Sequence, residues 1–510
     1  MRRRQLKSLP QAAGVSAVSE PVSNGLSERT AVHAISTPDA PTELTAVGQL
    51  LQDYFRCQDN FADFAVSGVL SEAPGYFRFG PDIICYGRCS SGLPSKSAAA
   101  HLHDADNHVA TNPSSVHLTF DPVEVVNNLR CERYLANTTS AGRPRPANQA
   151  LQSLYYLLRP LMGVGVRKHF QRLYFRLRNK AAFPEWPVDR TVEGIFERLL
   201  ILSMRAQGVT RLPFIWFWPE GLPSCTIVTH DVETAEGVNF CSQLMDLNDS
   251  FGIKSSFQLI PEDRYRLPEG FLERIRERGF EVNVHDLNHD GHLFRDHEEF
   301  LRRAIKINAY GKQFGALGFR SAIMYRNVDW FNALDFSYDM SIPNVAHLDP
   351  QKGGCCTVMP FFAGKLLELP VTMTQDYPLF NILKDYSTRL WREQIAMIRE
   401  KHGLICIIVH PDYIINDAAR RVYREFLEYV SELRSRRETW LALPGEAAAW
   451  WRLRSELSLV KVSDAQAGDS WRIEGNGSER ARLAYATLAG DSLSFEIAGP
   501  ATLRAPGTSF

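Results

Sequence analysis

Residues 225–237 read CTIVTHDVETAEG, and this stretch decides how the rest of the sequence is interpreted. An apolar run predicts a buried strand that carries His230, Asp231 and Glu233 at its end. Gly237 is expected to end this segment. Burying an unpaired carboxylate costs a large amount of free energy. These side chains are therefore expected to pair with other groups or to ligate a metal ion.

Alternation along this strand separates the polar side chains into two sets. In an extended chain, residues two positions apart share one face. Asp231 and Glu233 are therefore expected to point together, while His230 points to the other face. We interpret His230 as a packed or hydrogen-bonded histidine.

Similar short runs recur between residues 216 and 452, and they predict a parallel sheet. The runs are rich in β-branched or aromatic residues and read CTIVTH, KSSFQLI, FEVNVH, GALGFR, KLLELPV and LICIIVH. Helical patterns lie between several of them: FLERIRERG ends at Gly279, and STRLWREQIAMIREKHG ends at Gly403. Strand–helix–strand alternation is typical of an α/β sheet or barrel.

Polar side chains follow the ends of these predicted strands. His285 and His289 come at the end of FEVNVH with an i, i+4 spacing, which on a helical turn places both imidazoles on one side. Arg320 ends GALGFR, and His410 ends LICIIVH. Chemistry in α/β barrels collects at the carboxyl ends of the strands, so we expect these residues to form one site.

The residue types in this set are those of a hydrolytic metal site. Two histidines and one carboxylate fill three ligand positions of a catalytic zinc ion and leave room for water, whose pKa the metal lowers. One of Asp231 and Glu233 then remains as a general base. His410 is placed to protonate a departing amine, and Arg320 either holds the base by a bidentate contact or forms a surface ion pair.

These motifs resemble those of the polysaccharide deacetylase family, the NodB-homology or carbohydrate esterase 4 group, across roughly residues 222–420. THDVE resembles the first motif, as in a bacterial subgroup, HDLNH the second and IIVHP the last. GFRSAIM resembles the third motif, with Ala322 in place of a proline. The resemblance implies a distorted (β/α) barrel of about seven strands and a divalent metal, most often zinc.

The resemblance also implies roles for individual residues. Val232 stands where the family usually has its metal-binding Asp, and an Asp-x-Glu variant moves the ligand to Glu233. The implied catalytic residues are Asp231 as base, His410 as acid and Arg320 beside the base, and the implied metal ligands are Glu233, His285 and His289. Two further carboxyls, Asp339 and Glu368, are expected either to contact substrate or to have structural roles. Asp376 is expected either to reach the site and contact substrate or to cap a turn.

The function implied by the resemblance is hydrolysis of a C–N bond. Its substrate would be an N-acetylated sugar of a cell-envelope polysaccharide or of its precursor. Hydrolysis of a cyclic amide or imide uses nearly the same chemistry and is an alternative. A non-catalytic carbohydrate-binding relative is a third hypothesis.

Composition limits the other classes of function. The chain has 510 residues, of which 45% are hydrophobic and 23% charged, and its net charge of −1 gives no field that attracts nucleic acid. No apolar run is long enough for a transmembrane helix, and no secretory signal is evident. We expect a cytoplasmic protein. The basic amphipathic run at 166–180 predicts either peripheral contact with the inner membrane or packing against a neighbouring domain.

Changes in pattern along the chain predict four regions. We expect a disordered tail at 1–42, an N-terminal α+β domain of unknown role at 43–215, the deacetylase-like barrel at 216–452 and a small antiparallel β-rich module at 453–510. In the second region, FADFAVSGVL and YFRFGPDIICYG predict strands, and the residues from about 148 to 180 predict helices.

Overall fold

The computed structural model describes residues 46–58, 61, 63–113, 115–135, 182–464 and 468–498. The predicted tail at 1–42 and the predicted helices at 148–180 lie outside these residues. None of the helices in the described ranges combines the length and the apolar composition needed to cross a bilayer. The α-helices are α1 (Ala46–Phe55), α2 (Pro122–Arg130), α3 (Thr191–Ala206), α4 (Ala235–Ser250), α5 (Phe271–Glu277), α6 (His297–Phe314), α7 (Arg389–Glu400), α8 (Asp417–Ser435) and α9 (Pro444–Glu456).

The strands of the described residues form one large sheet and four small ones. They are β1 (Asp63–Val66), β2 (Gly75–Arg78), β3 (Ile84–Gly87), β4 (Ala110–Asn112), β5 (Ser115–Leu118), β6 (Arg211–Ile215), β7 (Cys225–Val232), β8 (Ser256–Leu259), β9 (Glu281–His285), β10 (Gly318–Arg320), β11 (Tyr338–Asp339), β12 (Phe361–Ala363), β13 (Leu366–Glu368), β14 (Leu404–Ile408), β15 (Trp440–Leu441), β16 (Ser458–Asp464), β17 (Gly468–Glu474), β18 (Leu483–Ala489) and β19 (Ser492–Ile497).

The large sheet is the curled parallel sheet that the sequence predicts. Its eight strands follow the order β12-β13-β11-β10-β9-β8-β7-β14, and β15 adds a short pairing to β7. All of these pairings are parallel except that of β12 with β13. Beyond β13, the backbone N–H of Met373 donates to the carbonyl oxygen of Cys406 in β14 at 3.1 Å. The sheet therefore curls into a half-barrel, and the predicted α/β class is confirmed.

Strand β7 and helix α4 explain the opening stretch of the sequence. Every residue of β7 is buried, as expected of a parallel strand that is covered on both faces. Thr234 then caps α4, because its side-chain oxygen accepts a hydrogen bond from the N–H of Gly237 at 3.0 Å. Gly237 lies in the first turn of α4, so the chain changes from strand to helix before the glycine rather than at it.

The two glycines predicted to end helices behave differently. Gly279 has a left-handed φ of +76° just after α5, as the sequence predicts. After α7 the left-handed residue is His402, with a φ of +57°, so the predicted stop at Gly403 is one residue late. Gly403 is needed for close packing instead, because a Cβ atom there would lie 2.6 Å from the Cγ2 of Val358.

The parts of the chain outside the barrel contain the predicted strands, and one of their sheets joins distant segments. β1 and β3 lie within the two runs that predict strands near the N-terminus, and β2 begins one residue before the second run. β18 pairs antiparallel with β19 on one side and with β6 on the other. This sheet therefore joins residues 211–215, which precede the predicted barrel, to residues 483–497, which follow it. The division into four regions stays a prediction.

Arg326 joins the N-terminal part of the chain to the barrel through a buried ion pair. Its Nε donates to Oε2 of Glu132 at 2.6 Å, and its Nη2 contacts Oε1 of the same carboxylate. The side chains of Arg326 and Glu132 are 0% and 5% exposed, so removing one partner leaves a buried charge unbalanced. The adjacent residue Arg133 pairs with Asp329 at the surface, where both side chains are at least half exposed.

We therefore expect Glu132→Ala to lower the free energy of unfolding by about 3–5 kcal/mol, because it leaves the Arg326 guanidinium buried without its carboxylate. The matched control Arg133→Ala should cost less than about 1 kcal/mol, since exposed ion pairs contribute little. Chemical denaturation followed by circular dichroism measures both values. Equal losses in the two variants would show that the buried pair does not hold the N-terminal part on the barrel.

Candidate metal centre and active site

The polar residues singled out in the sequence meet at the carboxyl edge of the large sheet. Asp231 is the penultimate residue of β7, and Glu233 follows that strand directly. His285 and Arg320 are the last residues of β9 and β10, and His410 lies two residues beyond β14. Because these strands run in parallel, their carboxyl ends lie at one edge, as in other barrel-like α/β folds.

Glu233, His285 and His289 form a cluster that could hold a metal ion. One ligand atom from each residue lies within 4.8 Å of those of the other two. Glu233 Oε1 is 2.8 Å from Nε2 of His289 and 3.7 Å from Nε2 of His285. Burial raises the pKa of Glu233, but His289 and the other neighbouring histidines lower it more, so its pKa lies well below the ordinary value. The carboxylate is thus ionised and available as a ligand.

His285 provides the observation that tests whether a metal fits. Its Nδ1 lies 3.2 Å from the carbonyl oxygen of Arg320, which can only accept, so Nδ1 carries the proton. Its Nε2 is buried, faces the carboxylates of Asp231 and Glu233, and has no hydrogen-bond partner among the described residues. An oriented imidazole with a free, buried nitrogen beside a carboxylate and a second imidazole is a donor set that suits a divalent metal such as zinc.

His289 reaches the cluster from a loop, which corrects the expected helical turn. Residues 286–289 follow β9 without forming a helix, and both Asp286 and His289 have left-handed φ angles, of 57° and 56°. The two imidazole rings nevertheless converge, with centroids 5.0 Å apart. The carboxylate of Asp286 supports this loop by accepting from the N–H of Leu287 at 2.6 Å and of Ala322 at 3.3 Å. A proline at position 322 could not donate this second hydrogen bond.

Asp231 is held beside the cluster by Arg320. Nη1 of Arg320 donates to Asp231 Oδ1 at 2.7 Å and to the side-chain oxygen of Thr229 at 2.8 Å, while its Nε donates to the carbonyl oxygen of Met340 at 3.0 Å. The contact is buried and uses one guanidinium nitrogen, so the expected alternatives of a bidentate contact and a surface ion pair are both wrong.

The second carboxylate oxygen of Asp231 faces the cluster, because Oδ2 lies 3.8 Å from Nε2 of His285. Burial raises the pKa of Asp231, but the charge of Arg320, with a smaller effect from His410, lowers it more. The net pKa is below the ordinary value, so this carboxylate is ionised at neutral pH and can accept a proton.

His410 reaches the cluster from the end of β14, the strand that pairs with β7 on the side opposite β8. Its Nδ1 donates to Asp376 Oδ1 at 2.7 Å, and its backbone N–H donates to Asp376 Oδ2 at 2.7 Å. Its Nε2 lies 3.5 Å from Glu233 Oε1. Burial lowers the pKa of His410, but Asp376 and Glu233 raise it more, so its pKa lies well above the ordinary value. The imidazole therefore carries a proton that Nε2 presents to the cluster.

The three carboxyls expected near substrate are all fully buried. Asp376 is 0% exposed and contacts His410 rather than the surface. Asp339 and Glu368 pair in register on β11 and β13, where burial raises the pKa of both carboxyls. Asp339 accepts from Ser341, and Glu368 accepts from the N–H of Ile342 at 2.9 Å. A direct role in substrate binding stays a prediction for these three residues, and their contacts favour positioning roles.

His230 points away from the cluster, as the alternation predicts. Its Nδ1 donates to the carbonyl oxygen of Val409 at 3.0 Å, and its Nε2 lies 3.0 Å from Nδ2 of Asn248. Tyr423 completes this buried network by donating to Oδ1 of Asn248 at 2.8 Å. The interpretation of His230 as a hydrogen-bonded structural histidine is confirmed.

Two residues next to His410 are part of the site's surroundings but were not singled out in the sequence. The ring of Tyr413 lies 4.9 Å from that of His410, and the buried Oδ1 of Asp412 has no hydrogen-bond partner among the described residues. Burial raises the pKa of Asp412, while His410 lowers it less. The continuation of IIVHP into Asp-Tyr is the signal that could have identified both residues.

Comparisons with known proteins give structural similarity alone. The sequence matches no protein-family model and no curated protein. Among solved structures, a candidate polysaccharide deacetylase from Mycobacterium smegmatis is 18% identical with a TM-score of 0.38, over 47% of this chain and 93% of that one. The PuuE allantoinase is 13% identical with a TM-score of 0.35, over 46% and 92%. The peptidoglycan deacetylase PdaC from Bacillus subtilis is 12% identical with a TM-score of 0.29, over 45% and 93%.

We expect the purified protein to bind one zinc ion per chain and to lose it in both His285→Ala and Glu233→Ala, because each change removes one of three ligands. Metal content by inductively coupled plasma mass spectrometry after zinc reconstitution measures this loss. The control His292→Ala alters an exposed histidine of the same loop and should retain the metal. Retention of zinc by Glu233→Ala would mean that Asp231 supplies the carboxylate ligand instead.

Proposed function

We propose that this protein is a metal-dependent hydrolase of C–N bonds that removes the N-acetyl group from a sugar of a cell-envelope polysaccharide or its precursor. One observation carries the proposal: a carboxylate held by a guanidinium and an imidazole held by a carboxylate lie beside the same cluster of potential metal-binding side chains. Asp231 is next to His285, and His410 is next to Glu233. Groups whose surroundings push their pKa values in opposite directions are suited to act as base and acid in one reaction.

The cluster of Glu233, His285 and His289 would hold the metal. A divalent cation at these residues would polarise the acetyl carbonyl and lower the pKa of a water molecule. Two imidazoles and one carboxylate suit zinc in a catalytic site, and cobalt, nickel and manganese are the other candidates by ligand type.

Asp231 acts as the general base in this proposal. Arg320 fixes Oδ1, so that Oδ2 remains directed at the cluster and is free to accept a proton. As the water oxygen bonds to the acetyl carbon, its proton passes to Oδ2 of Asp231. The Arg320 guanidinium keeps this carboxylate ionised before the reaction and holds its orientation during it.

His410 acts as the general acid. Asp376 holds Nδ1 and keeps the imidazole protonated, so Nε2 is the nitrogen that can donate. When the C–N bond breaks, this proton passes to the sugar nitrogen, and the products are acetate and a free amino sugar. The sugar therefore lies on the His410 side of the site at the moment of bond cleavage.

We expect Asp231→Asn to lower kcat for acetate release from N-acetylated sugars by about 10²–10⁴-fold, because the amide keeps the contact with Arg320 but cannot accept the proton. The variant should retain its metal, since Glu233 is the proposed ligand. Glu236→Gln, an exposed change in the first turn of α4, is the control and should have wild-type activity. Loss of the metal in Asp231→Asn would assign Asp231 to the metal and contradict the proposed roles.

The pH dependence of kcat/KM tests the acid. Activity should fall as pH rises through the pKa of His410, because the deprotonated imidazole has no proton to give. Asp376→Asn removes the largest of the interactions that raise this pKa, so the alkaline fall in activity should move to lower pH. The exposed control Asp417→Asn should leave the profile unchanged. An unshifted alkaline limb in Asp376→Asn would mean that another group supplies the proton.

A further inference from the structure

The turn that follows β10 contains two consecutive residues in a left-handed conformation. Ile323 has φ and ψ angles of 58° and 13°, and Met324 has a φ of 55°. Left-handed backbone costs any side chain free energy, and a β-branched residue such as isoleucine is rarely found there. We call residues 321–326 the Ile323 turn. Strain of this kind persists only where the surrounding contacts enforce it, so these contacts indicate what the turn does.

The Ile323 side chain lies against the loop that carries His289. We call residues 286–291 the His289 loop. A Cβ atom at Gly291 would lie 3.0 Å from Cδ1 of Ile323, and Gly291 has a left-handed φ of +76°. Glycine therefore meets two requirements at this position, the left-handed backbone and the close approach of the isoleucine. The contact is two residues away from His289.

Hydrogen bonds attach the first residue of the His289 loop to the Ile323 turn and to the end of β10. The N–H of Asp286 donates to the carbonyl oxygen of Arg320 at 2.8 Å, and the N–H of Ala322 donates to Oδ2 of Asp286 at 3.3 Å. The last residue of the loop is the glycine in contact with the isoleucine. A displacement of the turn would therefore displace His289, which lies between these two attachments.

The other side of the Ile323 turn is held by the buried ion pair of Arg326 and Glu132. Nη1 of Arg326 donates to the carbonyl oxygen of Met324 at 2.7 Å, and Nε of the same guanidinium donates to Glu132 at 2.6 Å. Glu132 also accepts from the N–H of Gly354 at 2.6 Å and has a left-handed φ of 56° itself. The carboxylate thus fixes the guanidinium, and the guanidinium holds the strained turn.

On the basis of the proposed function, in which His289 is a metal ligand, we propose that Ile323 is a positioning residue for His289. The pair of Glu132 and Arg326 keeps the Ile323 turn in its strained conformation, and the turn keeps the isoleucine side chain against Gly291. The His289 loop is thereby held in place before a metal binds, which lowers the cost of ordering the ligand. Through Glu132, the part of the chain before the predicted barrel contributes to metal affinity.

The experiment compares Ile323→Gly with a matched control, Arg437→Gly. Arg437 is exposed, has a left-handed φ of 58° and follows α8, on the side of the large sheet where β7 begins. Zinc affinity, measured on metal-free protein by competition with a chromogenic chelator, should fall about tenfold in Ile323→Gly and stay within about twofold in Arg437→Gly. Glycine accepts left-handed backbone at both positions, so the thermal midpoint of each metal-free variant should stay within about 3 °C of wild type.

Two further substitutions separate the side-chain contact from the backbone strain. Ile323→Leu keeps an apolar side chain of the same size without β-branching and should bind zinc within about twofold of wild type. Ile323→Asn tolerates left-handed backbone but removes the apolar contact, so it should repeat the loss of affinity expected in Ile323→Gly. A merely structural role would instead lower the thermal midpoint and leave zinc affinity unchanged.

Hydrogen–deuterium exchange of the metal-free proteins separates this inference from the proposed function. The amides of residues 286–291 should exchange about fivefold faster in Ile323→Gly and in Glu132→Gln than in wild type, and at the wild-type rate in Arg437→Gly. Faster exchange together with no zinc binding by the wild type would support the positioning role while the metal centre fails. Unchanged exchange in Ile323→Gly, or unchanged zinc affinity in both Ile323→Gly and Ile323→Asn, would overturn the positioning role. Unchanged exchange in Glu132→Gln would overturn the contribution of Glu132.

Discussion

The carboxylates of Asp231 and Glu233 lie at the end of a strand that is buried along its whole length, and their charges must be balanced there. Arg320 balances the first and His289 contacts the second, so β10 and the loop after β9 must reach the end of β7. Strand register makes this geometry available. Val232 pairs with Leu259, and Leu259 pairs with Val284, so His285 follows at the level of Glu233 across the curled sheet.

The chemistry follows from how each charged group is balanced. Arg320 keeps Asp231 ionised and Asp376 keeps His410 protonated, while the carbonyl oxygen of Arg320 fixes the proton of His285 on Nδ1. Each group near the cluster is thus oriented by a residue behind it, which is how metal and acid–base sites keep their geometry. Arg320 has two of these tasks, because its side chain binds Asp231, the proposed base, and its backbone carbonyl orients His285, a proposed metal ligand.

Local patterns in the sequence predicted the parts of the site that depend on local geometry. The two-residue alternation of a strand gave the shared face of Asp231 and Glu233 and the separate role of His230, and the ends of apolar runs located His285, Arg320 and His410. The spacing of His285 and His289 was misleading, since i, i+4 spacing also fits a loop with two left-handed residues.

Contacts between distant segments could not be read from such patterns. Asp376 reaches His410 across 34 residues, and β6 pairs with β18 far beyond the barrel. Trp186 and Gln375, although distant in the sequence, line one pocket. The burial of Asp339 and Glu368 likewise depends on how β11 and β13 pair, which the sequence of either strand does not show.

The central claim is that Glu233, His285 and His289 bind one metal ion and that Asp231 remains free to accept a proton. Anomalous diffraction at the zinc edge, from crystals of the zinc-loaded protein, tests it most directly. We expect a single strong peak within bonding distance, about 2.0–2.2 Å, of Nε2 of both histidines and of a Glu233 oxygen, with the Asp231 carboxylate outside that distance. A peak bonded to Asp231, a peak elsewhere in the chain or the absence of any peak would contradict the claim.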